Sequence, residues 1–154
     1  MVFGNSDGQI WGLVQRAIRD AGFRSVPVHI AILDKGQRSV KGLNSGSEGV
    51  VTVDLVVTLQ KPAQPSQASN DSKLLIQADA GKLIAHAMQI LPAKARNPSH
   101  VYAAILRDAI SQHQMVDHLH LSDVLIALRN EGYVIDRKTG LLTENDPTVI
   151  LAAE

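Results

Sequence analysis

Residues 34 to 62, DKGQRSVKGLNSGSEGVVTVDLVVTLQKP, decide the fold of this chain. The first half of this stretch is polar and glycine-rich. In the second half, apolar residues occupy every second position from Val51 to Leu59, and β-branched residues dominate. That pattern predicts a half-buried strand, and Pro62 ends it because proline cannot donate a hydrogen bond to a neighbouring strand.

A second strand is predicted over residues 26 to 32, where Val26, Val28, Ile30 and Ile32 alternate in the same way. The two strands form a hairpin whose connection is far longer than a turn requires. Loops of more than about 12 residues inside a compact domain are usually functional. The connecting loop is therefore the first candidate for a binding function.

A helix is predicted immediately upstream of the hairpin. Ser6-Asp7-Gly8-Gln9 fits a capping box, and apolar residues follow at helical spacing as far as Ala21. Gly22 suits the position just after the helix, where a left-handed backbone is common. The order of elements is thus helix, strand, long loop, strand.

The runs FGNSDGQIW, AGF, LDKGQRSVKG and VDLVVTLQKP resemble the C-terminal part of the catalytic domain of adenine-specific DNA methyltransferases. These class I enzymes use S-adenosylmethionine, and their α/β sheet ends with a helix and an antiparallel hairpin of strands six and seven. The resemblance implies that residues 1 to 5 are the tail of strand five. It also implies that residues 7 to 21 are the helix between strands five and six.

The second half of the chain has a different organisation. Residues 63 to 73, AQPSQASNDSK, have the composition of a linker. Beyond it, Leu74 to Ile76 fits a short strand or a helix start, and a helical stripe then runs to Pro92. Two further helices are predicted, one capped by Ser99 and one capped by Ser122 and stopped by Gly132.

Two short strands, at residues 133 to 135 and 141 to 143, are predicted to close the chain as a small hairpin. Short helices followed by a hairpin are typical of a winged-helix-like module. The same region resembles, more loosely, the segment after the strand-six and strand-seven hairpin in the methyltransferase family. The chain is therefore divided into a catalytic-domain fragment (1–62), a linker (63–73) and a mainly helical winged-helix-like segment (74–154).

Composition limits the function classes. The chain has 154 residues, 45% of them hydrophobic and only 3% aromatic, and its formal net charge is zero. A neutral chain offers no global field for binding nucleic acid, so any attraction must be local. Cysteine is absent, which excludes disulfides, and no apolar run approaches about 18 residues. A soluble, cytoplasmic protein without membrane contact is expected.

Two motifs of the family are missing from the sequence. The glycine-bearing loop that holds the methyl donor is not present, and neither is the D/N-P-P-Y/F motif that grips the flipped base. Base methylation needs a pocket for the extruded base and a positioned donor. We therefore expect no catalytic residues here, and S-adenosylmethionine is expected only for the complete enzyme and not for this chain alone.

The resemblance also implies a DNA-facing loop. In the class I sheet, the loop between strands six and seven emerges on the side where ligands bind in open α/β sheets. Cations interleaved with hydrogen-bonding residues suit phosphate contacts. The predicted DNA-binding residues are Lys35, Gln37, Arg38, Ser39 and Lys41. The alternative is an ordinary solvated loop, because short basic runs are common on protein surfaces.

Histidines cluster later in the chain. His113, His118 and His120 lie close to Asp117, but their spacing matches neither the helical i, i+4 pair nor a zinc finger. We therefore predict no metal site.

Three functions remain open. The favoured one is the C-terminal portion of a DNA (adenine-N6) methyltransferase, supplying the sheet edge and the DNA-facing loop without being competent alone. The alternatives are a stand-alone winged-helix-like DNA-binding or regulatory module, and a subunit that completes a split methyltransferase. Because the helices expected to cover the hairpin are not encoded here, Val53, Leu55, Val57 and Leu59 are expected to stay partly exposed and to promote self-association.

Overall fold

The structure, a computed structural model, describes residues 1–24, 26–34, 51–63 and 76–145. Within these ranges the chain is mixed α/β, with four α-helices and three small sheets. The α/β class predicted from the alternating and helical patterns is confirmed at this level.

The largest sheet contains the predicted hairpin. Its strands are β1 (Val2–Phe3), β2 (His29–Asp34) and β3 (Val53–Thr58), in the order β1-β3-β2. Strand β3 pairs antiparallel with both neighbours, so that Val56 lies opposite Val2 on one side and Ala31 on the other. Both hairpin strands are confirmed, although β2 begins only at His29, two residues after Pro27.

Helix α1 (Gly8–Asp20) follows β1, as predicted. Its N-cap is Asp7, whose side chain accepts from the Gln9 amide, so the prediction of a cap at Ser6 is wrong. Asn5 fixes this turn, because its Oδ1 accepts from the Asp7 amide at 2.8 Å. Gly22 adopts φ 81°, which confirms its place after the helix.

The second half contains three helices: α2 (Ala80–Ile90), α3 (Pro98–Ser111) and α4 (Leu121–Asn130). A short 3-10 turn (Ala93–Ala95) joins α2 to α3, and strands β4 (Ile76–Gln77) and β5 (Gln114–Met115) pair in parallel. Two predicted caps are wrong, because Asn97 caps α3 and His120 occupies the cap position of α4. Ser99 and Ser122 lie within the first turns of these helices instead.

The predicted C-terminal hairpin is present as β6 (Tyr133–Ile135) and β7 (Leu142–Glu144). Its turn is organised by Asp136, which accepts from the Lys138 amide and the Thr139 hydroxyl. These hydrogen bonds, led by the one from the Lys138 amide, lower the pKa of Asp136. Gly132, at φ 93°, ends α4 as predicted.

Helix α3 packs against the apolar face of the three-stranded sheet. Val53, Leu55 and Val57 are only 1%, 1% and 2% exposed, so the expectation that they remain partly exposed is wrong for these three residues. Leu59 is partly buried, as expected. The cover comes from a helix that sequence reasoning assigned to a separate module. The division of the chain at residues 63–73 stays a prediction, but buried residues on both sides of it belong to one core cluster.

Helix α1 docks on residues 114–121, which we name the junction segment. A Cβ atom added to Gly8 would lie 2.6 Å from the Leu119 carbonyl oxygen, and one added to Gly12 would lie 2.6 Å from the Asp117 Cβ. One turn further on, Gln15 donates to the Gln114 carbonyl and accepts from the Val116 amide. Small residues and one amide therefore let the helix approach the junction segment closely.

The junction segment is also held from its other sides. The Tyr102 hydroxyl of α3 donates to the Leu119 carbonyl at 2.7 Å, and this hydrogen bond is buried. The Leu121 amide donates to the Ser6 carbonyl at 3.0 Å. The segment therefore connects the N-terminal helix to the C-terminal helices.

The close approach of α1 generates the first prediction. Replacing Gly12 with Ala should lower the free energy of unfolding by about 1–3 kcal/mol, because the new methyl group overpacks against Asp117. Gly81→Ala is the matched control, since its Cβ would meet only Asp79 Oδ1 at an ordinary 3.5 Å. It should be neutral or stabilising, by up to about 1 kcal/mol from helix propensity. Denaturant titration of both variants measures the difference, and equal stabilities would contradict the docking.

Tyr102 generates a prediction about alkaline pH. Burial, followed by the charge of Asp7, raises the pKa of its phenol above the ordinary value. The folded protein therefore binds the phenol proton more tightly than the unfolded chain does. The stabilisation is complete below about pH 10 and is lost as pH rises through the folded pKa, by up to about 1.4 kcal/mol per pH unit.

We expect Tyr102→Phe to remove this part of the pH dependence above pH 10, whereas Tyr133→Phe should keep it. Unfolding titrations at several alkaline pH values give the two slopes. The same steep alkaline loss of stability in Tyr102→Phe and in the wild type would contradict the assignment.

Candidate functional site

The ends of β1 and β2 define the candidate site. Both strands run antiparallel to β3, so they are parallel to each other and their carboxyl ends reach the same edge of the sheet. This is where ligands bind in open α/β sheets. We name it the loop edge, and it comprises residues 4–7, Asp34, residues 51–54 and the first turn of α3.

The predicted DNA-binding residues connect to this edge. The chain leaves the described part of β2 at Asp34 and re-enters the described residues at Val51, before β3. Between them lie Lys35, Gln37, Arg38, Ser39 and Lys41, which are outside the described residues. Their contact with DNA stays a prediction, while the edge that carries the loop is described.

The start of β3 packs tightly against the end of β1. A Cβ atom at Gly4 would collide with the side chain of Asp54 and would lie 2.8 Å from the Val53 carbonyl oxygen. Only glycine fits this position without a shift of the neighbouring backbone. The close packing places the Asp54 carboxylate directly beside the chain that leaves β1.

The first turn of α3 contacts both ends of the long loop. His100 Nε2 lies 3.3 Å from Asp34 Oδ2, at the end where the loop begins. Ser99 Oγ accepts from the Thr52 amide at 3.0 Å, at the end where the loop returns. Ser99 is 1% exposed, so this second bond is shielded from water. One helical turn therefore anchors both sides of the loop.

These anchors were missed by sequence reasoning. The signal for the helix start was present, because Asn97 followed by Pro98 is a cap residue before a proline in the first turn. Asn97 Oδ1 accepts from the His100 amide at 2.9 Å. Because Asn97 is the cap, Ser99 is left available to bind the Thr52 amide.

The described charges of the loop edge are mainly acidic. Asp7, Asp34 and Asp54 contribute carboxylates, and His100 is the histidine that approaches one of them here. A phosphate would be repelled by these carboxylates. Any attraction for nucleic acid at this edge must therefore come from the cations of the loop itself.

The clustered histidines His113, His118 and His120 lie in separate surroundings and make no shared contact in the described structure. His118 Nε2 lies 2.8 Å from the Ala78 carbonyl oxygen, and His120 contacts the first turn of α1. His113 follows the end of α3 in a left-handed conformation, with φ 57°. Among the described residues, no group of three or more His, Asp or Glu side chains is placed to hold a metal ion.

One histidine–aspartate pair was not anticipated. His86 Nδ1 on α2 lies 2.9 Å from Asp108 Oδ2 on α3, beside an open cleft that Asp79 and Gln112 also line. The two residues are 22 positions apart, so no local motif signals the contact. The pair joins α2 to α3 as an interhelical hydrogen bond.

Within the described part of the chain, no helix is long and apolar enough to cross a membrane. The chain matches no protein-family model, no curated protein and no solved structure.

The anchor at Ser99 generates a prediction with an internal control. Ser99→Ala leaves the partly buried Thr52 amide without its side-chain acceptor and should cost about 1–3 kcal/mol of stability. Ser122→Ala, at an exposed position in the first turn of α4, should change stability by less than about 0.5 kcal/mol. Thermal unfolding of the two variants tests this, and equal effects would show that Ser99 does not anchor the loop.

Proposed function

We propose that this chain is the C-terminal portion of a DNA (adenine-N6) methyltransferase that uses S-adenosylmethionine. In this proposal it contributes the sheet edge and the DNA-facing loop. The observation that carries the proposal is the succession β1, α1, β2, β3, in which the three strands belong to one sheet. A strand end, a helix and an antiparallel hairpin follow one another in the order that the resemblance to class I enzymes implies.

The outer edge of β1 supports a role as part of a larger sheet. Met1 and Val57 exchange backbone hydrogen bonds, at 2.7 Å and 2.9 Å. Since bonding alternates along an antiparallel pair, the backbone groups of Val2 point away from β3. No described strand pairs with β1 on that side. An exposed edge of this kind is a template for a further strand.

One face of the sheet also supports this role. Phe3 packs edge-to-face on Trp11 of α1 and lies opposite Leu55, which places α1 and α3 on the same face. On the opposite face, Val2 and Leu33 are 56% and 45% exposed. The described strands are antiparallel neighbours and could leave one face to water, but the mainly parallel sheet of a complete class I enzyme is normally covered on both faces. The missing cover would come from the donor-binding part of the enzyme.

The chain's own contribution would be made by the loop. Lys35, Arg38 and Lys41 supply cations for phosphates, and Gln37 and Ser39 supply hydrogen-bonding groups towards the flipped base. Because the described charges of the loop edge are mainly acidic, the proposal assigns phosphate contact to the loop alone. The sequence contains neither a donor loop nor a base-gripping motif, so methyl transfer requires another portion of the enzyme.

A stand-alone winged-helix-like module is the second candidate. The β6–β7 hairpin directly after α4 favours it, since a wing follows a helix in that class. The position of α3 weighs against it. Helix α3 is packed against the three-stranded sheet, so the helical segment shares its core with the hairpin.

Methyl transfer tests the first proposal. The reading frame upstream of the coding sequence is expressed with this chain, and transfer of labelled methyl groups from S-adenosylmethionine to DNA is measured. We expect no transfer by this chain alone and clear transfer by the two portions together. Transfer by the 154-residue chain alone, or an upstream frame without donor and D/N-P-P-Y/F motifs, would overturn the proposal.

The loop is tested in the same assembled enzyme. Arg38→Ala with Lys41→Ala should weaken DNA binding irrespective of DNA sequence. The slope of log affinity against log salt concentration should become shallower, by roughly 0.9 for each lost phosphate contact. Lys61→Ala with Lys82→Ala removes the same charge elsewhere and should leave the slope unchanged. An unchanged slope in the loop variant would eliminate the phosphate role. Lost activity with intact DNA affinity would place the loop against the flipped base instead.

A further inference from the structure

The N-termini of α1 and α4 meet at His120. The Leu121 amide at the start of α4 donates to the Ser6 carbonyl, just before α1. His120 occupies the cap position of α4. Its Nδ1 lies 3.2 Å from the Gly8 amide nitrogen and 3.1 Å from Asp7 Oδ1. One ring nitrogen is therefore within reach of a donor and of an acceptor.

The Gly8 amide and the Asp7 carboxylate require opposite protonation states of Nδ1. Nδ1 accepts from the Gly8 N–H only through its lone pair, which is available only when the nitrogen carries no proton. It donates to the Asp7 carboxylate only when it does carry one. The two hydrogen bonds cannot exist together, so the presence or absence of a proton on Nδ1, which depends on both the charge and the tautomer of the ring, decides which of them forms.

We propose that His120 is a protonation-controlled latch between α1 and α4. In the neutral ring with its proton on Nε2, Nδ1 accepts from the Gly8 amide and caps the first turn of α1. In the imidazolium, Nδ1 donates to Asp7 and the Gly8 amide loses this acceptor. The latch acts at the loop edge, because Asp7 and Gly8 connect β1 to α1. It does not depend on the methyltransferase proposal.

Charged and titratable groups lie on each element that packs around His120. Asp7 lies at the start of α1, Asp117 and His118 precede His120 in the junction segment, and Asp123 lies in the first turn of α4. Tyr102 reaches the site from α3 through its bond to Leu119. Carboxylates therefore lie on several sides of the ring, and the two helix N-termini bring partial positive charge to it.

The effect of protonating Nδ1 of His120 depends on which other groups cap the first turn of α1. Asp7 Oδ1 already accepts from the Gln9 amide at 2.8 Å, so a bond from His120 adds to an existing cap. Gly8 is buried and lies in the first turn, where amides have no partner within the helix. Loss of the His120 acceptor therefore falls on one identifiable amide, which makes the latch observable.

Nitrogen-15 spectra of the histidine rings and the Gly8 amide resonance, followed in the full chain between pH 5 and 8, test the latch. This is the range in which histidine changes its charge. At the upper end, Nδ1 of His120 should be unprotonated. On acidification, the Gly8 amide should titrate with the ring. Its protection factor should fall roughly three- to tenfold, the equivalent of one hydrogen bond.

Asp7→Asn is the matched variant, because Asn and Asp cap helices about equally well. Without the carboxylate, the Gly8 titration should move to lower pH, whereas His29→Asn, at an exposed position of β2, should leave it unchanged. A proton on Nδ1 at pH 8, or a Gly8 amide that ignores the ring titration, would overturn the proposal. Because both of these readings come from the wild-type chain, they decide the matter even if a variant fails to fold.

Discussion

The packing of α3 against the three-stranded sheet is the interaction on which the rest of the structure depends. This helix is buried on most of its surface, including Val101, Tyr102, Ile105 and Leu106. Each large side chain buried in this way contributes about 1.5–3 kcal/mol from the hydrophobic effect. A helix that is apolar nearly all round must be enclosed on several sides. Here the sheet, α2 and α4 enclose it, and its first turn also holds both ends of the long loop.

The four helices and the strands β2, β3, β6 and β7 could be predicted because their signals are local, whereas the two-residue strand β5 was not predicted. Alternation gave β2 and β3, helical spacing gave α1 to α4, and Gly22 and Gly132 ended helices as expected. The caps could not be predicted as well, because they depend on tertiary partners. Ser99 binds the Thr52 amide, 47 positions away, and His120 binds the Gly8 amide, 112 positions away. A short polar residue before an apolar run does not reveal which donor it will meet.

The candidate site proposed from the sequence stays a prediction, because Lys35, Gln37, Arg38, Ser39 and Lys41 lie outside the described residues. The contacts that hold the neighbouring edge of the sheet could not be predicted. The chain leaves β2 at Asp34 and re-enters the described residues at Val51, at the edge of the sheet where the ends of the parallel strands β1 and β2 lie. The contact between Asp34 and His100 and the close fit of Gly4 against Asp54 required the packing of distant elements. The prediction that Val53, Leu55 and Val57 stay partly exposed was wrong for the same reason. The helix that covers Val53, Leu55 and Val57 lies beyond residues 63–73 in the sequence. The described residues therefore fix where the loop leaves the sheet and where it returns.

We expect α3 to make the N-terminal sheet and the C-terminal helices one cooperative unit. Equilibrium unfolding in denaturant, followed by two probes, tests it most directly. The fluorescence of Trp11, which is the single tryptophan of the chain, reports on the N-terminal half. Far-UV circular dichroism is dominated by α2, α3 and α4. Coincident transitions with the same midpoint and slope are predicted, as expected for two-state unfolding. Two separated transitions, with the tryptophan signal lost while the helical signal persists, would contradict the account.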